Sequence, residues 1–209
     1  MLDKLDSIIF DLDGTLWDST ATVAKAWQGA IEQVDFVQGT VTQADVQSIT
    51  GMPYDAIFLK LFPYLTTEQL STLKSICSKD ELLYMQTYGG TLYAGLEETL
   101  QYLQAKYKLF IVSNCQRGYI EAFLTRHNMQ PYFIDHECYG SRELPKAENV
   151  KEIIRRNKLQ APVYIGDTGG DYEASYKNNI PFIFANYGFG FVPRPKISIT
   201  SIIDLKVIL

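Results

Sequence analysis

A chain of 209 residues, 46% apolar and carrying a net charge of −5, can bury a core in one large domain or in one domain with a small insert. The acidic balance argues against a nucleic-acid partner, which selects basic surfaces, but leaves room for a locally positive pocket that holds a small anion. Three scattered cysteines, Cys77, Cys115 and Cys138, form no CxxC pair, no apolar run nears the roughly 20 residues of a membrane span, and the N-terminal apolar run is too short for a secretion signal.

These features lead us to expect a cytoplasmic protein with no membrane partner. In chain order, the first element is "SIIF", apolar on both faces, which suits a strand buried between helix layers. It runs straight into Asp11 and Asp13 and bends at Gly14. A carboxylate pair at the mouth of a core is costly unless a cation sits on it. From about Ser19 to about Gly90 no buried-strand run occurs. Segments 21–34, 42–52, 54–62 and 66–88 read as helices, with Thr42 a helix cap and Pro53 and Pro63 as punctuation. Beyond residue 90 apolar runs alternate with amphipathic segments: strands at 107–114, 131–140, 162–167 and 180–186, helices at 95–107, 117–128 and 147–158. Leu96, Leu100 and Leu103 share one stripe, Ile120, Phe123 and Leu124 a second, and Val150, Ile153 and Ile154 a third. The basic cluster Arg155, Arg156 and Lys158 reads as solvated charge at a helix C terminus. The tail 196–209 reads as a short strand and a helix that Ser201 and Asp204 cap.

The alternation predicts a parallel α/β core, a Rossmann-like doubly wound sheet, with an all-helical insertion after the first strand. The predicted boundaries are residues 1–17 and 90–209 for the core and 18–89 for the helical cap.

Four motifs fall at the C-terminal ends of predicted strands, the edge where parallel open sheets bind ligands. They are "DLDGT" with Asp11 and Asp13, "VSN" with Ser113 and Asn114, "LPKAEN" with Lys146 at a helix start, and "GDTGGD" with Asp167 and Asp171. Singly, each has an ordinary structural reading: a turn, a helix cap, a surface lysine, an acid at a helix N terminus. Jointly they make a phosphoryl-transfer site. The carboxylates Asp11, Asp13, Asp167 and Asp171 can hold Mg²⁺, a hard cation that prefers oxygen. Ser113 and nearby N–H groups can bind phosphoryl oxygens, Lys146 supplies positive charge, and one carboxylate is left to attack phosphorus.

"FDLDGTLWDS", "VSN", Lys146 and "GDTGGD", in that order, resemble the four motifs of the haloacid dehalogenase superfamily. The nearest group is the phosphoglycolate phosphatase-like hydrolases, whose helical cap the insertion resembles. The resemblance implies a Mg²⁺-dependent phosphatase acting on a small phosphorylated metabolite. In it Asp11 would be nucleophile and metal ligand, and Asp13 the general acid and then base, with its backbone carbonyl on the metal. Ser113 and Asn114 would hold the phosphoryl group, Lys146 would orient Asp11, and Asp167 and Asp171 would ligate or support the ion. Such an enzyme would be a monomer or a homodimer. The lysine lacks the proline that often follows it in that family, and two glycines in "GDTGGD" could loosen its spacer. A sugar-phosphate mutase is the alternative within the superfamily, although Met52, Pro53 and Tyr54 stand where mutases usually carry a basic residue. A receiver-type phosphoacceptor is a further alternative. The stretch "TGMPYDAIF" is the expected substrate-facing loop. Trp17, Trp27 and Tyr54 read as packing, and "NYGFGFVPRP", with Arg194, as a surface loop.

Overall fold

The computed structural model describes residues 4–209; the first three residues of the expected segment 1–17 lie outside them. The chain runs β1 (Ser7–Phe10), β2 (Trp17–Asp18), α1 (Thr20–Ile31), α2 (Gln43–Ile49), α3 (Tyr54–Leu61), α4 (Thr67–Thr87) and β3 (Thr91–Leu92). It continues α5 (Leu96–Gln104), β4 (Lys108–Ser113), α6 (Tyr119–His127), β5 (Asp135–Cys138), α7 (Tyr139–Arg142) and α8 (Lys146–Asn157). It ends β6 (Pro162–Gly166), α9 (Gly169–Lys177), β7 (Phe182–Ala185), β8 (Ser198–Ile199) and α10 (Leu205–Ile208).

Six strands form one parallel sheet in the order β5-β4-β1-β6-β7-β8. β1 is therefore central, and the chain winds outward from it first through β4 and β5, then through β6, β7 and β8. The crevice beside β1 is the topological switch point, where ligands of such sheets bind. Strand side chains alternate between two buried layers. Ile8, Phe10, Leu109, Ile111, Val163 and Ile165 face one, together with Leu100 of α5 and Phe123 of α6. Ile9, Phe110, Val112 and Tyr164 face the other, against Val150 and Ile153 of α8. Burial on both faces is why these strands read as unbroken apolar runs.

Four helices lie between β2 and β3, which pair antiparallel at their foot, Trp17 opposite Leu92. That two-residue antiparallel pair was not foreseen, because strands so short leave no periodicity. Thr42 closes a capping box with Asp45, and Ser201 closes another with Asp204. The buried stripe of α4 is Leu73, Cys77, Glu81 and Met85, four residues apart, with a carboxylate in an otherwise apolar row.

One expectation needs correction. Arg156 is not simply solvated. It donates to Asp135 at 2.7 and 2.8 Å, to Glu137 at 2.6 Å and to the His136 carbonyl at 2.6 Å, tying α8 to β5. Among the described residues no helix is long and apolar enough to cross a membrane.

Candidate active site

Asp11 leaves β1 still on the ladder, its N–H bonded to the Ile165 carbonyl at 2.8 Å. The chain then turns through Gly14, whose φ of 81° is left-handed. A Cβ at Gly14 would run into the Asp167 carboxylate, so this turn needs glycine on two counts. Asp167 follows β6 on the adjacent strand, which brings it beside Asp11.

Asp11, Asp167 and Asp171 are all buried, and a carboxylate oxygen from each lies within 4.8 Å of the others. Lys146, also buried, opens α8 and bridges two of them. Its Nζ donates to Asp11 Oδ1 at 2.8 Å and to Asp171 Oδ1 at 2.7 Å. Burial works against the charge on Lys146, but the two carboxylates outweigh it and hold its ammonium above the ordinary lysine range. Burial, reinforced by Asp171, pushes the Asp11 carboxyl well above the ordinary aspartate range despite Lys146. Burial and then Asp171 push Asp167 up to about 7, against the pull of the Phe189 and Gly190 N–H groups.

The three acids differ in what remains free. Asp171 is filled by protein donors. Thr168 N and Oγ1 reach Oδ2 at 2.9 and 2.7 Å, and Lys146 and the Tyr164 hydroxyl lie 2.7 and 3.2 Å from Oδ1. Thr168 and Asp171 form a capping box for α9, so the glycines between them do not loosen the segment. Asp167 Oδ2 accepts from Phe189 N at 2.7 Å and Gly190 N at 3.3 Å, while its Oδ1 is buried with no partner. Asp11 Oδ2 likewise has no hydrogen-bond partner among the described residues. An orphaned buried carboxylate oxygen on an acid this close to two others fits a hard divalent cation.

Asp13 stands apart from this trio. Its Oδ1 accepts from Ser19 Oγ at 2.5 Å, Trp17 Nε1 at 2.9 Å and Tyr119 OH at 3.1 Å, and these three donors leave Oδ2 unpaired. Burial lifts its carboxyl above the ordinary range in spite of them.

Ser113 ends β4, and neither it nor Asn114 caps a helix; α6 starts only at Tyr119, with Gly118 at its cap. Asn114 Nδ2 donates to the Gly51 carbonyl at 2.8 Å, joining the sheet edge to the helical insert. Between them lies a cavity of about 60 Å³ lined by Asp11, Asp13, Ser113 and Asn114 below and by the loop at Thr50, Gly51 and Met52 above. Trp27 and Tyr54 also line it, whereas Trp17 packs behind, edge-on to Tyr119 and Phe123.

Sequence reasoning missed three parts of the site. The loop at 186–195 is not merely surface: Phe189 and Gly190 hold Asp167, and the Tyr187 hydroxyl donates to the Thr15 carbonyl at 2.8 Å. Arg194 in that loop is exposed and does not line the cavity. Tyr119 was not singled out. Glu81 was passed over within a helix, although a carboxylate at the centre of a buried stripe is itself a signal.

Glu81 is 3% exposed and accepts from Trp27 Nε1 at 2.7 Å and from Tyr54 OH at 3.3 Å. Burial raises its carboxyl from the ordinary 4.5 to about 7. The folded state therefore binds the extra proton between those values, and stability falls as pH rises from about 4.5 through about 7. At about 1.4 kcal/mol per pH unit, the loss is at most about 3 kcal/mol. Glu81→Gln stays neutral, so its stability relative to the parent is expected to climb across that window. Urea unfolding of both proteins at pH 5 and pH 8 checks this, and an equal pH slope for the two would refute it.

Comparison with known proteins places these residues in context. The model of the family described as haloacid dehalogenase-like hydrolase matches residues 8–185. A phosphoglycolate phosphatase of Photobacterium profundum is 27% identical over 198 residues, 88% of this chain and 84% of that protein. A structure described as a predicted phosphoglycolate phosphatase from Haemophilus somnus superposes with a TM-score of 0.85 at 21% identity, covering 98% of this chain and 97% of the other. A haloacid dehalogenase-like family hydrolase of Streptococcus pneumoniae superposes with a TM-score of 0.84 at 19% identity, covering 98% of both chains.

Proposed function

The chain belongs to the haloacid dehalogenase-like hydrolase family, and from that premise we propose that it is a Mg²⁺-dependent phosphatase which cleaves a small phosphate monoester through a phosphoaspartate on Asp11. The observation that carries this reading is the division of labour among the acids. Asp11 Oδ1 is held by Lys146 and its Oδ2 has no protein partner, while Asp167, whose carboxylate lies within 4.8 Å, keeps an orphaned Oδ1. The reading keeps residues 1–17 and 90–209 as the hydrolase core and 18–89 as the cap, and the helices α1–α4 between β2 and β3 support it.

Asp167 and the other oxygen of Asp11 would hold the cation, with the Asp13 backbone carbonyl as a further ligand, which leaves Asp11 Oδ2 as the nucleophile. Asp171 supports them from behind by fixing Lys146. When bound, the ion supplies positive charge that offsets the gathered carboxylates and the phosphoryl oxygens. Asp11 Oδ2 attacks phosphorus and the ester oxygen leaves, taking a proton from Asp13 Oδ2. Water then attacks the same phosphorus and gives its proton to Asp13, and inorganic phosphate leaves with Asp11 restored. Burial shifts the Asp13 carboxyl upward, the direction a general acid needs, and Ser19, Trp17 and Tyr119 keep Oδ1 fixed so that Oδ2 does the work. Ser113 Oγ and the adjacent N–H groups hold the phosphoryl oxygens. Asn114 already gives its amide to Gly51, so in this arrangement it latches the cap more than it binds phosphate.

A phosphate-release screen over small phosphorylated metabolites with Mg²⁺ tests the reading. Release from at least one ester is expected. Isomerisation of a sugar phosphate without release would favour mutase action, and a phosphorylated form stable for hours would favour a signalling module. Asp13→Asn is expected to slow both half-reactions by roughly 10²–10⁴-fold, measured by burst and steady-state kinetics; an unchanged rate would place the proton elsewhere.

A further inference from the structure

The phosphoryl end of the cavity is served by Lys146 and the proposed cation. The leaving-group end is not served by any cation. Trp27, Tyr54, Ile57, Met52 and Glu81 form that end, and among the described residues no lysine, arginine or histidine lines the cavity at all. Its one carboxylate beyond the catalytic acids, Glu81, is placed inside a buried helix stripe. Both hydrogen bonds that Glu81 accepts, from Trp27 and Tyr54, fall on Oε2, which leaves Oε1 outside them.

Resting on the phosphatase reading above, we infer that the organic part of the substrate is neutral and hydroxyl-bearing, a small polyol phosphate, and that Glu81 is the specificity-determining residue which accepts that hydroxyl and rejects a carboxylate. A carboxylate on the leaving group would be buried in company with Asp11, Asp13 and Glu81, with no positive partner on that side. An unpaired buried charge is among the most expensive arrangements a site can hold, and a wall that offers one discriminates by repulsion. A hydroxyl in the same place loses water but regains a hydrogen bond to Glu81, which keeps its cost low.

Glycerol 3-phosphate and 3-phosphoglycerate test this, since they differ in one hydroxymethyl against one carboxylate. With Mg²⁺, kcat/KM is expected to favour the glycerol ester by about 100-fold or more. Glu81→Gln, which keeps an acceptor and removes the charge, is expected to shrink that ratio by roughly tenfold. Binding of the two esters to Asp11→Asn with Mg²⁺, followed by calorimetry, gives the same ratio without turnover. A preference for 3-phosphoglycerate, or for phosphoglycolate, would overturn the inference while leaving the phosphatase standing. A ratio that Glu81→Gln does not move would overturn the role of Glu81. Binding that favours the glycerol ester with no phosphate released from any ester would uphold the inference and sink the phosphatase.

Discussion

Asp11→Asn is expected to abolish phosphate release, by on the order of 10⁴–10⁶-fold, without unfolding the protein. The amide oxygen can still accept from Lys146 Nζ, the bond that Asp11 Oδ1 makes at 2.8 Å. What disappears is Oδ2, the oxygen with no protein partner, and an amide nitrogen in its place is not a nucleophile. Removing one of three carboxylates that crowd within 4.8 Å also relieves like-charge repulsion. The melting temperature in the absence of divalent ions should therefore equal or exceed that of the parent. Near-normal turnover in this variant would end the assignment of Asp11 as nucleophile, and a large fall in melting temperature would mean that its loss acts through the fold.

The second large effect is expected for Lys146→Met, and here stability and activity should fall together. Lys146 is buried and makes ion pairs at 2.8 and 2.7 Å with two buried acids. Removing one member of a buried network leaves uncompensated charge and costs about 3–5 kcal/mol. The lost positive charge beside the phosphoryl group should cost a further 10²–10³-fold in kcat, the order seen when one preorganised electrostatic partner is removed. The sign with pH separates this from simple misfolding. Without the ammonium, which pulls the Asp11 carboxyl down, the buried Asp11 favours its protonated form further, so the deficit in stability should be smallest at low pH and widen as pH rises. Denaturant unfolding at pH 5 and pH 8 reads this directly; a deficit independent of pH would point to lost packing by the lysine stem instead.

How much of this site could be read from the residues alone follows from how each part is encoded. Strands buried on both faces announce themselves as apolar runs, so β1, β4, β6 and β7 and the residues at their ends were legible, and with them Asp11, Ser113 and Asp167, while Lys146 stood out at the start of the amphipathic α8. The groups that set up those residues were not. Phe189 acts on Asp167 through its backbone N–H, which any residue but proline provides, so its side chain carries no mark of the task, and Gly190 shows only as one more glycine of a loop, although a Cβ there would run into the Asp167 carbonyl. Tyr119 meets Asp13 from 106 positions away, a pairing that only the winding of the sheet creates. Glu81 was within reach, since Leu73, Cys77 and Met85 flank it at helical spacing, but the length and charge of α4 made its row resemble a solvated face. Arg156 was misjudged for a related reason: its partners Asp135 and Glu137 lie on β5, whose placement beside α8 is a property of the fold.

The central claim is that a divalent ion and Lys146 gather these carboxylates so that Asp11 can take phosphorus from an ester. Rapid acid quench during turnover with Mg²⁺, followed by mass spectrometry of the peptides, tests it most directly. A phosphoryl group on the peptide that carries Asp11, absent from Asp11→Asn and absent when the divalent ion is chelated, is the expected result. Turnover that proceeds at full rate with Asp11 never phosphorylated, or with the group found on another residue, would contradict it.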